Sequence, residues 1–309
     1  MNERMNDNSY APIVVFAYKR FFEYKKLIES LQKNNECKYS DLFIFIDGIK
    51  NEKEEENNTK IYEYSKNIDG FRNVFIEKSK INKGLANSVI NGVSNVINKY
   101  GKVIVLEDDL EVSNTFLAYM NSSLDYYHNQ EKVFSIAGYC PNISIKNDNV
   151  FFFPRIESWG WATWDNRWNK VDWNVSDYNE FIKNKKLIKE FNKGGNDLSE
   201  MLKQQHLGEV DSWAIRFCYS EFIDKSFTVY PPKSLVANNG CNLNGTNFKE
   251  VNTRYDVKIA DNYSPILKEF NGIMNNYGKM LAFYNCSRMV DLFNKIVNKL
   301  KRFSSKGKE

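Results

Sequence analysis

Three consecutive carboxylates, Glu107, Asp108 and Asp109, follow the apolar, β-branched run Val103–Leu106. A run of that kind reads as a buried strand. Adjacent acids at a strand's end repel one another and resist desolvation. A fold retains such a cluster where positive charge sits against it, most simply a divalent cation. Oxygen-only ligands favour a hard ion, Mn²⁺ or Mg²⁺, and such ions commonly carry phosphates. A second reading is the acidic N-terminus of a following helix. Ser113-Asn114 has the composition of a cap, and acids suit that end of a helix. On this stretch alone both readings stand.

The elements that would position the acids recur about every thirty residues. Strand-like runs begin at Pro12, Leu42, Asn73 and Val103. Between them lie the helical patterns Phe22–Lys33, Asn51–Asn67 (charged, expected to be exposed) and Gly84–Lys99. This alternation predicts an α/β fold with a mostly parallel sheet and right-handed crossovers. Ligands of such sheets bind at the carboxyl ends of the strands. Polar residues collect there: Tyr18, Lys19 and Arg20 after the first strand, Asp47-Gly48 after the second, Glu77 and Lys78 after the third. Asp47, Glu77 and Glu107 are thirty residues apart and are expected to share one rim. Each alone could be a turn residue, since Asp-Gly is a strong turn signal. No GxGxxG or Walker A loop is present, which disfavours dinucleotide enzymes and P-loop NTPases.

A helix over Thr115–Tyr127 and strands over Val133–Ala137 and Val150–Phe153 come next. All six tryptophans lie between Trp159 and Trp213. Such density either packs a subdomain, the commoner use of Trp, or walls a pocket against sugar C–H faces. Asp172–Gly208 is polar and helical, with a loop at Gly194-Gly195. Asp211 precedes an apolar helix running to about Phe222, and capping alone would account for it. The Gly/Asn-rich stretch Ala237–Phe248 has the composition of a lid, or of a plain connector. Ser264–Glu309 reads as two helices and a tail, with Pro265 in a first helical turn.

Length and composition bound the rest. A chain of 309 residues with 42% apolar and 27% charged residues can bury a sizeable core. Met1–Tyr10 is polar and no run approaches a membrane span, so the expected location is cytoplasmic. Five widely spaced cysteines without a CxxC pair fit reduced thiols, and two histidines exclude a multi-histidine metal site. Net charge is +4, but the stretch from Leu292 onward alone carries six Lys/Arg against one Glu, or +5, leaving −1 elsewhere. A nucleic-acid footprint on the main body is therefore not expected. That tail has an apolar stripe at helical spacing (Leu292, Phe293, Ile296, Val297, Leu300, Phe303). It could lie on the inner face of an anionic membrane or pack on the domain.

The strand followed by Glu107-Asp108-Asp109-Leu110-Glu111-Val112 resembles the acidic metal motif of the GT-A glycosyltransferases. The resemblance is strongest to the N-acetylglucosaminyltransferase I-like branch, with its Glu-Asp-Asp variant. It runs from about Pro12 to Asn247. It includes Phe16-Ala17-Tyr18-Lys19-Arg20, the strand end at Asp47, the Trp159-Gly160-Trp161 stretch and the Asp211-Ser212-Trp213 run. It implies an inverting transfer from a nucleotide sugar, a UDP-sugar, to a glycan hydroxyl. By the resemblance Asp109 contacts Mn²⁺, while Glu107 and Asp108 bind the donor sugar and ribose. Arg20 and Asp47 hold the nucleotide, with Asn91 a further donor-side position. Trp159, Trp161, Asn239 and Asn242 face substrate, the last two in a loop ordering over the donor. Asp211 is the general base. A GT-A domain over residues 1–250 is implied, with a donor half over about 11–110 and an acceptor half over 111–250. Residues 251–309 form a helical extension outside the resemblance. The region Asp172–Gly208 differs from the family, so the acceptor does not carry over; a lipid-linked glycan of lipopolysaccharide or capsule is the expectation.

Two other classes compete. A non-catalytic carbohydrate-binding protein would use the tryptophans and a bound ion for recognition alone. A sugar-phosphate nucleotidyltransferase has a related sheet, but those enzymes grip a triphosphate with a Gly-rich loop, and Ala11–Phe22 contains no glycine.

Overall fold

A computed structural model describes residues 10–240, 255–271 and 276–286. The first half alternates strand and helix: β1 (Ile13–Ala17), α1 (Phe21–Leu31), β2 (Asp41–Ile46), α2 (Glu55–Ser65), β3 (Asn73–Lys78), α3 (Leu85–Tyr100) and β4 (Lys102–Glu107). The second continues through β5 (Leu110–Val112), α4 (Phe116–Tyr126), β6 (Val133–Ala137), β7 (Phe151–Phe153) and β8 (Trp161–Trp164). Then come α5 (Asp165–Trp168), α6 (Tyr178–Phe181), α7 (Lys185–Phe191), α8 (Leu198–His206), α9 (Trp213–Ile223), β9 (Phe227–Tyr230), β10 (Val236–Asn238) and α10 (Asn276–Cys286).

Eight strands form one sheet in the order β3-β2-β1-β4-β8-β6-β9-β7. The class is α/β, as expected. Strands β1 to β4 are parallel, β6 and β9 are parallel, and β8 runs antiparallel between β4 and β6. The period of two in β1 makes the layers. Ile13, Val15 and Ala17 pack with Tyr24, Leu27 and Ile61 of α1 and α2, whereas Val14 and Phe16 pack with Val89 and Val93 of α3. Both faces are therefore covered by helices, and residues from both halves of the chain share the sheet.

A second ladder matters for the site. β5 pairs antiparallel with β10, Leu110 opposite Asn238 and Val112 opposite Val236. This ladder overturns the reading of the acids as a helix start. A strand separates them from α4, which begins only at Phe116, and Ser113 Oγ accepts from Thr115 N at 3.0 Å.

Residues 255–271 also depart from expectation. No helix starts at Pro265. Ile266 bridges Asn149 in parallel, with Val150 N donating to Ile266 O at 3.0 Å and Ile266 N to Asp148 O at 2.7 Å. Proline biases the residue before it toward extended backbone, and pairing with the edge of the fold extends that geometry. Tyr263, Leu267 and Phe270 pack on the main core. The basic tail from Leu292, Asn242 and most of the expected lid lie outside the described residues. Among the described residues no helix is long and apolar enough to cross a membrane.

Candidate active site

The parallel strands end level with one another: Phe16 stands opposite Glu107, and Ala17 opposite Ile46. Their loops open into a cleft of about 880 Å³, within the usual range for small-molecule sites. Arg20, Asp47, Glu107, Asp108, Asp109 and Asp211 all line it, although 164 residues separate Asp47 from Asp211.

Asp108 and Asp109 are each only 8% exposed. The backbone N–H of Tyr18, directly after β1, donates to Asp108 Oδ2 at 2.9 Å. Arg20 Nη1 lies 3.9 Å from Asp108 Oδ1 and donates to Asp109 Oδ2. Asp109 Oδ1 is buried without a hydrogen-bond partner. Burial pushes Glu107 up to about 8, and Asp109 and Asp108 add to the rise. Burial and the charge of Asp109 likewise push Asp108 up to about 7, against the pull of Arg20. A buried acidic group with one guanidinium beside it thus remains short of positive charge.

The donor set fits a divalent cation of the hard kind. Among the described residues no three potential ligands converge on one point. Mn²⁺ and Mg²⁺ in phosphate-handling sites need only one or two carboxylates, the substrate phosphates and water completing the shell. The free Oδ1 of Asp109 is the atom that such an ion would take. Gly240 lies against this carboxylate: a Cβ there would meet Asp109 Cγ and Arg20 Nη1 at 2.7 Å. The β5–β10 ladder brings it there, with Asn239 N donating to Asp109 O at 2.7 Å.

Asp47 is held by its neighbours. Its Oδ1 accepts from Gly48 N at 2.9 Å and Lys83 N at 2.8 Å, and its Oδ2 from Gly84 N at 3.0 Å. It therefore ties the segment before α3 to the end of β2. Two residues that the sequence did not point to brace this side. Asn58 Nδ2 donates to Tyr18 O at 2.8 Å and Asp47 O at 2.9 Å. Glu54 accepts from Lys19 Nζ at 2.8 Å, Lys50 N at 2.9 Å and the Tyr18 hydroxyl. Burial opposes its charge, but those donors hold Glu54 down to about 2. Both lie on or beside α2, whose charged sequence reads as an exposed face, and Asn58 is 1% exposed.

Asp211 lies across the cleft just before α9. It does not cap that helix. Ser212 does, its side chain accepting from Ile215 N at 3.4 Å. The Asp211 carboxylate is left to the cleft mouth, where Arg216 Nη2 donates to Oδ1 at 2.8 Å. Arg216 is itself fixed by Ser212 O at 3.1 Å and Trp173 O at 3.3 Å.

Other sequence-selected residues fall elsewhere. Glu77 stands level with Glu107, in one row through Phe45 and Phe16, so it shares the rim as expected; on the edge strand β3, however, it pairs with Lys83 at 3.5 Å on the surface and does not line the cleft. Asn91 is exposed on α3, past Ser88, and does not line the cleft. Trp159 lines it, but Trp161 is 1% exposed, stacked between Trp213 at 4.8 Å and Trp168 at 5.8 Å. Both faces of β8 are buried, and Trp161 lies on the one packed by Trp168 of α5 and Trp213 of α9, so the packing reading holds for it. Gly160, with φ +69°, turns the chain between the two. Asn239 does not line the cleft, its Nδ2 donating to Glu111 Oε2 at 3.2 Å.

No family model and no curated protein matches the sequence. Among solved structures, the mannosyltransferase PcManGT from Pyrobaculum calidifontis, in complex with GDP-Man and Mn²⁺, is 8% identical over 72% of this chain and 77% of its own, with a TM-score of 0.40. TarS of S. aureus is 12% identical over 73% of this chain, again at a TM-score of 0.40, and the chain spans 36% of its length. At that level of similarity the chemistry of this cleft rests on its own residues.

Proposed function

We propose that this chain transfers a sugar from a nucleotide sugar, a UDP-sugar, to a glycan hydroxyl, with Mn²⁺ or Mg²⁺ held at Asp109. The observation that carries the reading is the buried, unpartnered Oδ1 of Asp109 at the carboxyl ends of parallel strands, in a cleft with Asp211 on its far side. A divalent ion held there would supply positive charge to the diphosphate leaving group as its bond to the anomeric carbon breaks.

The chain's own residues do the remainder. Arg20 adds a second positive charge beside the acids, where a diphosphate would lie. Asp47 fixes the nucleotide side by holding residues 83 and 84. Glu107 and Asp108 accept hydrogen bonds from hydroxyls of the donor sugar and ribose. Arg216 engages Asp211 Oδ1, leaving Oδ2 to take the proton of the attacking hydroxyl. One base and one displacement invert the anomeric centre without a covalent intermediate. The donor half is the part up to about residue 110, and the acceptor half extends to about residue 250.

Calorimetric titration with UDP and GDP, with and without Mn²⁺, tests this. The expected result is UDP binding that tightens at least about tenfold with the metal, the equivalent of about 1.4 kcal/mol. Nucleotide binding that ignores the metal, or no binding, overturns the assignment.

A further inference from the structure

A second cavity, of about 410 Å³, adjoins the cleft and is claimed by none of the roles above. Ser158, Trp159, Met201 and Ala214 line both volumes, so the two are neighbours across the Trp159 indole. From the geometry of this cavity we propose that it is a pyranoside subsite selective for an uncharged sugar. Resting on the sugar-transfer reading, we further assign it to the terminal sugar of the acceptor.

Aromatic surface and a polar anchor carry the argument. Trp159 meets Tyr139 edge-on at 4.7 Å and 78°, and Tyr255 at 5.4 Å and 80°. Tyr230 adds a further ring, its hydroxyl bonded to Arg155 O at 2.9 Å. Ile215 and Cys218 of α9 supply apolar surface. Into this cavity comes the carboxyl of Glu157, which makes no ion pair with any of the described lining residues. Burial pushes it up to about 7, against Arg155 and the backbone N–H groups of Trp159 and Ser158. A carboxyl in that state both donates to and accepts from sugar hydroxyls. Aromatic faces meanwhile cover the C–H face of a ring.

Charge selects the class of sugar. Among the described lining residues Arg155 is the one cation. Both of its Nη atoms are bound to Asp197, at 2.8 and 2.9 Å, and Nη1 also reaches Gly194 O at 3.4 Å. Its charge is answered inside the wall. A uronate or phosphate would have to lose its hydration here with no uncommitted cation among the described lining residues to answer its charge, whereas a neutral pyranose carries no such charge. The location suits an acceptor, because α9, which supplies Ala214, Ile215 and Cys218, begins two residues after Asp211.

Saturation-transfer NMR on the full chain tests this with methyl β-glucoside, methyl β-galactoside and methyl β-glucuronide. A neutral glycoside should receive saturation and bind at least about tenfold more tightly than the glucuronide. Glu157→Leu should weaken it about tenfold and Glu157→Gln no more than about threefold, since Gln retains an acceptor. The melting temperature reports whether each variant folds. If neither does, the neutral-against-uronate comparison on the unaltered chain decides. Equal binding of glucoside and glucuronide, or no saturation of either neutral sugar, overturns the proposal. UDP titrated with Mn²⁺ in the same samples separates the two readings. Nucleotide binding without pyranoside binding removes only the subsite; pyranoside binding without nucleotide binding keeps the subsite and removes the transfer.

Discussion

Arg20 Nη1 engages Asp109 Oδ2 and leaves Oδ1 of the same carboxylate buried without a hydrogen bond. The pair splits the labour of one acid between a resident guanidinium and an oxygen open to a cation. Asp109→Asn should therefore remove the gain in UDP affinity that Mn²⁺ confers, at least about tenfold, because the neutral amide lacks the charge with which a carboxylate holds a divalent ion. Arg20→Ala should weaken nucleotide binding and, in addition, act on the protein itself. It strands buried acids, and the expected cost is about 2 kcal/mol, reduced from a fully buried pair because the arginine is partly solvated. Calorimetry and urea melts separate the two effects. Unchanged Mn²⁺-dependent binding in Asp109→Asn would remove the metal role.

Asp211 offers a kinetic test. Its carboxylate side chain is 54% exposed and held on one oxygen by Arg216. Asp211→Asn is nearly isosteric and keeps an oxygen for that bond. The expected result is UDP binding within about twofold of the unaltered chain, with turnover of a UDP-sugar lowered about 10²-fold or more. Turnover at the normal rate means that another group takes the proton.

The parts legible in the sequence are those set by local pattern. Val103–Leu106 announces a buried strand, and the acids after it stand in the cleft with Arg20, Asp47 and Asp211. Long-range pairing was not legible. Nothing around Trp161–Trp164 says that these residues form a strand between β4 and β6, which is why Trp161 is core. Nothing near Leu110 names Asn238 as its partner, yet that pairing carries Gly240 to Asp109. Asp211 and Ser212 are both good caps by type, and only the backbone geometry selects Ser212. Asn58 was hidden because its own helix looks solvated; its partners belong to two other loops.

Gly48 tests the loop that Asp47 holds. A Cβ at this position would lie 2.8 Å from Asn82 N and closer still to the carbonyl of Ile81. Backbone cannot swing away as a side chain does, so Gly48→Ala must push residues 81–82 outward. Gly48 O also accepts from Asn82 Nδ2 at 2.7 Å. The expected result is a loss of about 1–3 kcal/mol in a urea melt, together with weaker nucleotide binding as the Asp47 contacts to Lys83 and Gly84 loosen. Unchanged stability and binding would show that this approach is not tight in solution.

Glu221 gives a pH dependence free of the site. It is fully buried on α9, with Oε1 accepting from Thr228 at 2.9 Å and Oε2 unpartnered. Burial holds its carboxyl well above the usual carboxylate range, against the Thr228 bond and with the help of Asp224. The folded chain therefore keeps a proton that the unfolded chain releases near pH 4.3. A raised acid makes stability fall as pH rises, by up to about 1.4 kcal/mol per pH unit between the unfolded and folded values. Gln carries no such proton, so Glu221→Gln should match the unaltered chain near pH 4 and exceed it increasingly from pH 5 to pH 8. Urea melts across that range read the difference directly. A gap that stays constant with pH would mean that Glu221 is ionised in the folded chain.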